Sequence, residues 1–547
     1  MLVVDAIAKI LALESTKFLS CYPTTPLIDA AAKVGIRPIV CRQERVGVGI
    51  ADGYTRVAEN GRIGVFAMQY GPGAENAYSG IATAYSDGTP ILLLPTGHQL
   101  DRAQMRPLFS ATRSFGSITK SVETLIRSKD VADVMRRAFS ALRSAPSGPA
   151  MVEIPMDIAR AEVAEDAFDY VPPLGALSGP APDDVERALE ALIGAASPVI
   201  FAGQGVLRAG ASAELVDLAE LLGIPVITSL EGKSAFPERN PLSLGVATVV
   251  ASDQVLEFLR GADTVFAIGA SLTRHFTTPR LPTRAKLVHS TNDARDLNKF
   301  NRVDYPILGD AKLVLRTLLD AARDRKLGAL QERRRASETR IAASTKHWLD
   351  KWLPKLTSNE LPITPYRALH EFMGVTDPDQ TILTHDSGSP RDQIVPFYRA
   401  GGPNTYLGWG KSHALGSGLG LTMGAKLAAP EKLCAHFLGD AAFGMTGLDI
   451  ETAARSGIPI LSIVLNNSTM AIESTTLVES HERFGTRDVR GNYAAIAEAL
   501  SVPARRVEEP GALAAAFEWA IRATRDGSPA LLEIITSAET AFSNRPS

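Results

Sequence analysis

The feature that most constrains the fold is an alternation of short apolar runs with stretches of helical periodicity, which continues over most of the 547 residues. Short runs without polar alternation are typical of strands buried on both faces, and intervening helices supply the crossover connections of parallel sheets. The sequence therefore predicts an α/β fold of doubly wound parallel sheets. The predicted strands lie at 18–22, 63–68, 90–95, 149–154, 198–202, 224–227, 264–268, 286–289, 380–385, 433–438, 459–465 and 529–535, and a further apolar stretch precedes Glu44.

Two linkers divide this pattern into three blocks. The segment 160–184 contains VPPLGALSGPAPDD, which is rich in Pro, Gly and Ser, and LTSNELPITPY marks a second break. A charged stretch at 325–345 is predicted to be a solvated helix. The resulting blocks suit domains of roughly 150 residues each. We expect three domains, at 1–165, 180–340 and 360–547.

Charge and cysteine content narrow the function classes. The formal net charge is −3 and no basic patch is present, which argues against a nucleic-acid partner. Cys21, Cys41 and Cys434 are far apart without a CxxC pair, which indicates a reducing compartment and no cysteine zinc site. The N-terminus carries Asp5 and no basic region, and no apolar run reaches the ~20 residues of a membrane span. We expect a cytoplasmic protein with no membrane partner.

One strand–helix–strand unit predicts an ion site. An apolar strand ends at Asp440 in LGDAAFGMTG, a helical pattern follows from Thr446 to Ser456, and the next strand ends in Asn466-Asn467. The right-handed crossover of such a unit brings the carboxyl ends of both strands to one crevice. A carboxylate beside a carboxamide suits Mg²⁺ or Ca²⁺. A simpler interpretation is also open, in which Asp440 caps the next helix and the asparagines form a turn.

The order GD…NN resembles the fingerprint of thiamine diphosphate-dependent enzymes, which reads GDG…NN. The resemblance implies that Asp440, the Asn467 side chain and the Thr469 carbonyl bind Mg²⁺, and that this ion clamps the diphosphate of the cofactor. Ala441 replaces the usual glycine, which adds only one methyl group if its φ is negative. We expect a small displacement of the diphosphate and not a loss of binding. The backbone of Gly439, Ala441 and Ala442 is expected to bind the diphosphate.

A second motif supplies a carboxyl group. Glu44 begins a predicted helix among the small residues Gly47, Gly49 and Ala51. Taken alone, it is a helix N-terminal carboxylate favoured by the helix dipole. The surrounding RQERVGVGIADGYTR…QYGPGAEN…DGTP, however, resembles the pyrimidine domain of the acetolactate synthase-like family, although Gln43 replaces the usual histidine. The resemblance implies that Glu44 bonds the pyrimidine ring of the cofactor and activates it, and a dry setting would raise its pKa for that role. Matching positions are Glu44, Gly71, Pro72, Gly73, Asn76 and Pro90, of which Pro72 and Asn76 are expected to contact the cofactor.

The resemblance covers nearly the whole chain in the right order. It continues through SGPAMVEIPMDI, through SPVIFAGQGVLRAG in the middle block, and through GLGLTMGAKLAAPEK in the last block. It implies a pyrimidine-binding domain, a middle domain and a diphosphate-binding domain. In this family the glutamate meets a cofactor anchored by the neighbouring subunit, so a homodimer is the expected minimum and a homotetramer the expected assembly.

Two more cofactor contacts follow from the resemblance. Leu415 falls where the family places an apolar side chain that bends the cofactor, and Gly388 falls where a backbone group meets the aminopyrimidine. Core packing for Leu415 and a plain turn for Gly388 are the alternatives.

The residues that set the substrate differ from those of acetolactate synthases. Phe109 is followed by Ser110 where those enzymes have F-Q-E, and Ser474 and Thr476 occupy their Arg and Trp positions. This argues against acetolactate synthase itself. The stretch NNSTMAIE resembles the N-N-x-x-Y-T-I-E of pyruvate and indolepyruvate decarboxylases, so Glu473 is expected to transfer protons unless it is a solvated helix residue.

Other polar residues complete the predicted pocket. His413 replaces a usual glycine and is expected to act as acid or base, with a packing role as the alternative. Thr25, Gln69 and Tyr70 are the expected substrate contacts. The predicted activity is thiamine diphosphate- and Mg²⁺-dependent cleavage or formation of a C–C bond on a small-molecule 2-oxo acid, by a decarboxylase or carboligase.

Two alternative functions are open beside this prediction, and FAD and ADP are the two candidate ligands of the middle domain. The first is an oxalyl-CoA decarboxylase or 2-hydroxyacyl-CoA lyase, and the second is a cofactor-binding protein without catalysis. FAD in the middle domain is disfavoured because GASLTRHF lacks the Arg-Phe-Asp-Asp pattern of flavin-holding members. ADP there receives little support from the tail TAFSNRPS, whose one cation is Arg545.

Overall fold

A computed structural model describes residues 1–545 except 104, 166, 167, 276, 324, 326 and 327. The described chain forms three six-stranded sheets in which all neighbouring strands are parallel, which confirms the predicted α/β fold. The first sheet has the order β2-β1-β3-β4-β6-β5. Its strands are β1 (Phe18–Cys21), β2 (Arg37–Val40), β3 (Val65–Met68), β4 (Leu92–Gly97), β5 (Ser121–Thr124) and β6 (Ala150–Pro155).

The second and third sheets repeat this architecture with the orders β12-β11-β10-β7-β8-β9 and β14-β13-β15-β16-β18-β17. The second sheet contains β7 (Pro198–Ala202), β8 (Val226–Thr228), β9 (Ser243–Val246), β10 (Thr264–Ile268), β11 (Lys286–Thr291) and β12 (Tyr305–Leu308). The third contains β13 (Thr381–His385), β14 (Tyr406–Leu407), β15 (Leu433–Gly439), β16 (Leu461–Asn466), β17 (Ala504–Val507) and β18 (Ala530–Ile535).

Helices cover both faces of the sheets. Those of the first block are α1 (Val3–Leu13), α2 (Leu27–Lys33), α3 (Glu44–Val57), α4 (Pro72–Ser86), α5 (Ala111–Phe115), α6 (Val131–Arg143) and α7 (Met156–Ala159). The middle block has α8 (Pro182–Gly194), α9 (Gln204–Arg208), α10 (Ser212–Leu222), α11 (Asp253–Gly261), α12 (Ala311–Arg323) and the charged α13 (Gly328–Leu356). The last block has α14 (Pro365–Val375), α15 (Ser389–Ile394), α16 (Ser417–Ala428), α17 (Asp440–Thr446), α18 (Ile450–Arg455), α19 (Val478–Phe484), α20 (Tyr493–Ala499) and α21 (Leu513–Arg525).

All the strands predicted as separate apolar runs are inner strands. Each edge strand was missed, except β2, which corresponds to the apolar stretch before Glu44. Inner strands such as β7 and β10 are buried at every position, whereas β12 and β17 each bury a single residue. An edge strand pairs on one side only and is partly solvated, so it lacks the continuous apolar run that marks a buried strand.

The first and last blocks meet through α3 and α16. A Cβ at Gly49 would lie 3.1 Å from the Cα of Gly420, and a Cβ at Gly53 would overlap the carbonyl oxygen of Leu421. These glycines therefore let the two helix backbones approach closely. Arg56 adds a hydrogen bond of 3.1 Å from Nη1 to the carbonyl of Gly408.

A buried ion pair joins the middle and last blocks. The Lys233 ammonium donates to both Glu238 carboxylate oxygens, at 2.6 and 2.9 Å, and to the Tyr398 carbonyl at 2.7 Å.

The three cysteines are free and buried. No helix in the described part of the chain is long and apolar enough to cross a membrane. The domain limits drawn from the linkers stay predictions.

Candidate active site

The predicted ion ligands lie at the carboxyl edge of the third sheet. β15 pairs with β16 so that Gly439 lies opposite Leu465, which places Asp440 and Asn466 at the same end of the two strands. Helix α17 begins at Asp440 itself, earlier than the Thr446 that the helical pattern predicts. The aspartate therefore lies at the junction of strand and helix.

Asp440 carries an oxygen that fits a cation. Its side chain is buried, with 3% of the residue exposed, and Oδ1 accepts the Ala441 N–H at 2.7 Å. Oδ2 is also buried and makes no hydrogen bond with any described residue. Burial raises the pKa of Asp440 to about 6, while the backbone amides of residues 467–469 oppose this rise. A buried carboxylate oxygen without a partner is costly, so a bound divalent cation would satisfy it.

The turn after β16 presents the other two predicted ligands. The Asn467 Oδ1 accepts the Thr469 N–H at 3.0 Å, and Ser468 between them has a φ of +56°. An amide oxygen keeps a second lone pair when it accepts one hydrogen bond. Among the described residues no group of three or more His, Cys, Asp or Glu side chains could bind a metal. The donor set is therefore one carboxylate with amide and carbonyl oxygens, which suits Mg²⁺.

Ala441 meets the condition under which an alanine is tolerated. It lies in the first turn of α17 and is not among the residues with positive φ. Gly439 has an extended φ of −86°, which any residue adopts. Neither the alanine nor its neighbours therefore strain the strand-to-helix junction where the diphosphate is expected.

Glu44 occupies the dry setting that its predicted role requires. It is the first residue of α3, only 5% of it is exposed, and burial raises the pKa of its carboxyl group. The Asn76 side chain hydrogen-bonds to it and opposes this rise. Pro72 begins α4, and a Cβ on the next residue, Gly73, would lie 3.4 Å from Glu44 Oε1. The absence of a side chain at that glycine brings α4 against the carboxyl group.

The structure brings the Glu44 helix to the last block of the same chain. The Arg45 guanidinium donates to the Leu415 carbonyl, and Thr446 Oγ1 at the end of α17 donates to the Gly416 carbonyl at 2.9 Å. Leu415 is half-buried against the apolar cluster that includes Ala442. These contacts lie within one chain and do not involve the Glu44 carboxyl group, so the expected homodimer, in which Glu44 meets a cofactor anchored by the neighbouring subunit, stays a prediction.

Asp386 is a residue of this region that the sequence analysis missed. It is fully buried beyond β13, and Oδ1 accepts the N–H groups of Ser387 at 2.7 Å and Gly416 at 2.9 Å. Oδ2 accepts the Gly418 N–H at 3.0 Å. Burial raises the pKa of Asp386 to about 6. This carboxylate joins the turn of Gly388, whose φ is +96°, to the loop that carries Leu415. The only sequence signal was its position in HDSG, directly after a strand.

The predicted proton-transfer residues lie in two separate segments of the last block. His413 is exposed, has a φ of +41°, and its ring centroid lies 5.7 Å from that of His275 in the middle block. Glu473 is half-buried in a 3₁₀ turn at residues 471–473, just beyond the predicted metal ligands. Their roles stay predictions.

Thr25, Gln69 and Tyr70 follow β1 and β3 at the carboxyl edge of the first sheet, on the same side as Glu44. Thr25 is buried, and its Oγ1 accepts the Leu27 N–H at 3.3 Å, which is a local turn contact. The Tyr70 N–H donates to Thr96 Oγ1 at 3.1 Å. The structure thus gathers these residues at one edge, while their contact with substrate stays a prediction.

A separate cavity lies where the three blocks meet. Its volume is about 1430 Å³, and its lining includes Arg208 and Lys411 with Asp87 and Glu231. Part of the GASLTRHF segment also lines it, although residue 276 is outside the described residues. Whether a nucleotide such as FAD or ADP binds there stays a prediction.

Family models match all three blocks of the chain. Residues 1–115 match the N-terminal TPP binding domain of thiamine pyrophosphate enzymes, residues 185–318 their central domain, and residues 386–534 their C-terminal TPP binding domain. The matched order is the order of the three sheets.

Curated relatives extend over most of the chain. An acetolactate synthase large subunit of Parasynechococcus marenigrum is 30% identical over 79% of this chain and 69% of its own length. A probable acetolactate synthase large subunit of Methanococcus aeolicus is 27% identical over 99% of this chain and 93% of its own length. The acetolactate synthase isozyme 3 large subunit of Escherichia coli K12 is 27% identical over 81% of this chain and 77% of its own length.

Proposed function

Because this chain belongs to the thiamine pyrophosphate enzymes of the acetolactate synthase-like family, we propose that it cleaves and forms a C–C bond at the carbonyl of a 2-oxo acid. The cofactor is thiamine diphosphate, the same molecule as thiamine pyrophosphate. Mg²⁺ is the proposed anchor of its diphosphate. The carboxyl group leaves as CO₂, and the remaining fragment takes up a proton to give an aldehyde or joins a second carbonyl compound to give a longer hydroxy ketone or hydroxy acid.

The observation that carries the proposal is the unpartnered oxygen of Asp440. It is buried at the carboxyl edge of a parallel sheet, where ligands bind in open α/β folds. Asn467 and Thr469 supply neutral oxygens at the end of the neighbouring strand. A site with so few protein oxygens suits Mg²⁺, which completes its coordination with phosphate and water.

Each residue has a proposed task in this site. When bound, thiamine diphosphate supplies the electron sink that C–C cleavage next to a carbonyl requires. Burial raises the pKa of the Glu44 carboxyl group, which favours its protonated form, and Asn76 lies beside it and opposes this rise. Leu415 and Gly388 shape the cofactor pocket. Glu473 and His413 are proposed to exchange protons with the substrate, while Thr25, Gln69 and Tyr70 bind it.

The substrate is proposed to differ from that of the acetolactate synthases in the family. The resemblance places Ser474 and Thr476 where those enzymes carry their Arg and Trp, and Ser110 where they carry Gln. Short hydroxyl side chains cannot make the bidentate carboxylate contact of an arginine. The family membership supports a carboligase, and the altered positions support a different second substrate.

The experiment is a screen of purified protein with thiamine diphosphate, Mg²⁺ and single 2-oxo acids, with and without an aldehyde or ketone acceptor. Release of CO₂ with an aldehyde indicates a decarboxylase, and release of CO₂ with a condensed product indicates a carboligase. Asp440→Asn is the matched variant, because it keeps the shape and removes the charge that binds the metal. If Asp440→Asn remains active when Mg²⁺ is left out of the assay, the proposal is contradicted.

The oligomeric state and a cytoplasmic location are also proposals. We infer a homodimer or homotetramer from the resemblance, in which Glu44 of one subunit meets a cofactor anchored by its neighbour. Size-exclusion chromatography with light scattering measures the assembly directly.

A further inference from the structure

Glu533 is a buried carboxylate with no role in the reaction described above. It lies on β18, which pairs with β16, and its side chain is completely buried. One oxygen, Oε1, accepts a hydrogen bond of 2.7 Å from Asn466 Nδ2. The other, Oε2, accepts the Ala494 N–H at 2.9 Å. The Arg506 guanidinium lies 3.4 Å from Oε1 and forms an ion pair with this carboxylate.

The carboxylate decides which way the Asn466 amide points. An ionised carboxylate only accepts hydrogen bonds, so the group that faces it must be the NH₂ of the asparagine. The Asn466 oxygen then faces the opposite side, where it accepts the Ser468 N–H at 3.0 Å and the Ser468 hydroxyl at 3.2 Å. If the amide were reversed, its NH₂ group would face the Ser468 N–H, and two donors would oppose each other.

The Ser468 contact supports the turn that carries the metal ligands. Ser468 has a φ of +56°, a left-handed conformation that a non-glycine residue adopts only when its surroundings hold it. Asn467 and Thr469 flank it, and both are proposed to bind Mg²⁺. The two hydrogen bonds that Ser468 donates to Asn466 Oδ1 therefore hold the strained residue between the two ligands.

Ala494, which donates to Glu533, follows a tyrosine that packs against the other side of the site. Tyr493 is buried, and its ring packs against Phe443 of α17 with centroids 5.1 Å apart. Burial, with the charges of Asp440 and Glu533, raises the pKa of Tyr493 to about 12. Glu533 thus bonds Asn466, which holds the turn of the predicted ligands, and Ala494, the neighbour of the tyrosine that packs against α17.

We propose that Glu533 is a positioning residue that sets metal affinity by orienting Asn466 and, through it, the 466–469 turn. This inference rests on the proposed function, because it assumes that Asn467 and Thr469 bind the cation. Groups that orient metal ligands from behind typically change metal affinity by roughly 10–100-fold when they are mutated. We therefore expect a substitution of Glu533 to weaken cation binding while the protein still folds.

The test measures Mn²⁺ affinity by electron paramagnetic resonance at saturating thiamine diphosphate, in the full chain. Glu533→Gln places one NH₂ group against either Asn466 or Ala494, so one of the two contacts becomes donor against donor. We expect Mn²⁺ to bind 10–100-fold more weakly, with unchanged circular dichroism. Glu508→Gln is the matched control, because Glu508 is exposed and pairs with Arg506 at 2.7 Å but does not touch Asn466. The control is expected to stay within twofold of wild type.

A second variant identifies the path. Asn466→Ala removes the same oxygen from Ser468, so it should weaken Mn²⁺ at least tenfold, and adding Glu533→Gln to it should change the affinity by less than twofold. This variant alone carries the test if Glu533→Gln does not fold. Unchanged Mn²⁺ affinity in a folded Glu533→Gln protein, or an equal loss in Glu508→Gln, would overturn the inference. If wild type binds no Mn²⁺ with thiamine diphosphate, the proposed function fails as well.

Discussion

The substitution Asp386→Asn tests how a buried carboxylate holds the cofactor loops together. In the native chain the two carboxylate oxygens accept three backbone N–H groups, from Ser387, Gly416 and Gly418. Asparagine has one oxygen and one NH₂ group, so at least one of these N–H groups faces another donor. Leaving a buried donor unpaired costs about 1–3 kcal/mol.

An opposing effect has a similar size. Burial raises the pKa of Asp386 from 3.8 to about 6. At about 1.4 kcal/mol for each pKa unit, keeping this group ionised in the folded protein costs about 3 kcal/mol at neutral pH. Asparagine has no charge and avoids this cost. We therefore expect the free energy of unfolding at pH 7 to change by no more than about 2 kcal/mol.

The pH dependence separates the two effects. Because the folded pKa is raised, the stability from this group is fully present below pH 3.8 and is lost as the pH rises to about 6. Wild type should lose about 3 kcal/mol relative to Asp386→Asn across that interval. Other titrating groups cancel in the difference. Urea titrations of both proteins at several pH values between 4 and 7.5, expressed as differences in the free energy of unfolding, measure it.

Function should respond more strongly than stability. The lost hydrogen bond loosens the link between the Gly388 turn and the Leu415 loop, so the affinity for thiamine diphosphate should fall about tenfold, which corresponds to about 1.4 kcal/mol. Isothermal titration with the cofactor and Mg²⁺ measures this. A stability difference that does not vary with pH, together with unchanged cofactor affinity, would refute the reasoning.

Three further substitutions test other parts of the site. Glu44→Gln should lower kcat at least 100-fold, which is the lower end of what proton-transfer groups contribute, and it should change the cofactor affinity by no more than a few fold. The control is Glu59→Gln, at an exposed position two residues beyond the end of α3, which should leave kcat unchanged. Gly53→Ala should lower the thermal midpoint, because the added methyl overlaps the Leu421 carbonyl and separates α3 from α16; an unchanged midpoint would show that the helices tolerate the shift. Leu415→Ala should lower kcat more than it raises the cofactor dissociation constant if this side chain shapes the bound cofactor, and equal effects on both would indicate simple packing.

The inner strands, and the sheet edge at which the predicted metal ligands lie, were predictable because they depend on short sequence patterns. A strand buried on both faces needs an apolar run, and that run is visible without knowing its neighbours. Such runs predicted that β15 ends just before Asp440 and that β16 ends at Asn466. The handedness of the crossover then predicted that both ends lie at the same edge of the sheet. The edge strands β12 and β17 were not predictable, because partial solvation leaves them no distinctive pattern.

By itself, the sequence determined which residue types end which strands, and with them the α/β class and the candidate ligands Asp440 and Asn467. Only the tertiary structure decided that Asp386 and Glu533 hold loops from separate segments, because a buried carboxylate is defined by the donors that surround it and these lie far away in sequence. The tertiary structure also decided where Glu44 lies. Its helix approaches α16 of the same chain because glycines on both helices remove the side chains between them, a property of the pair that neither segment shows alone.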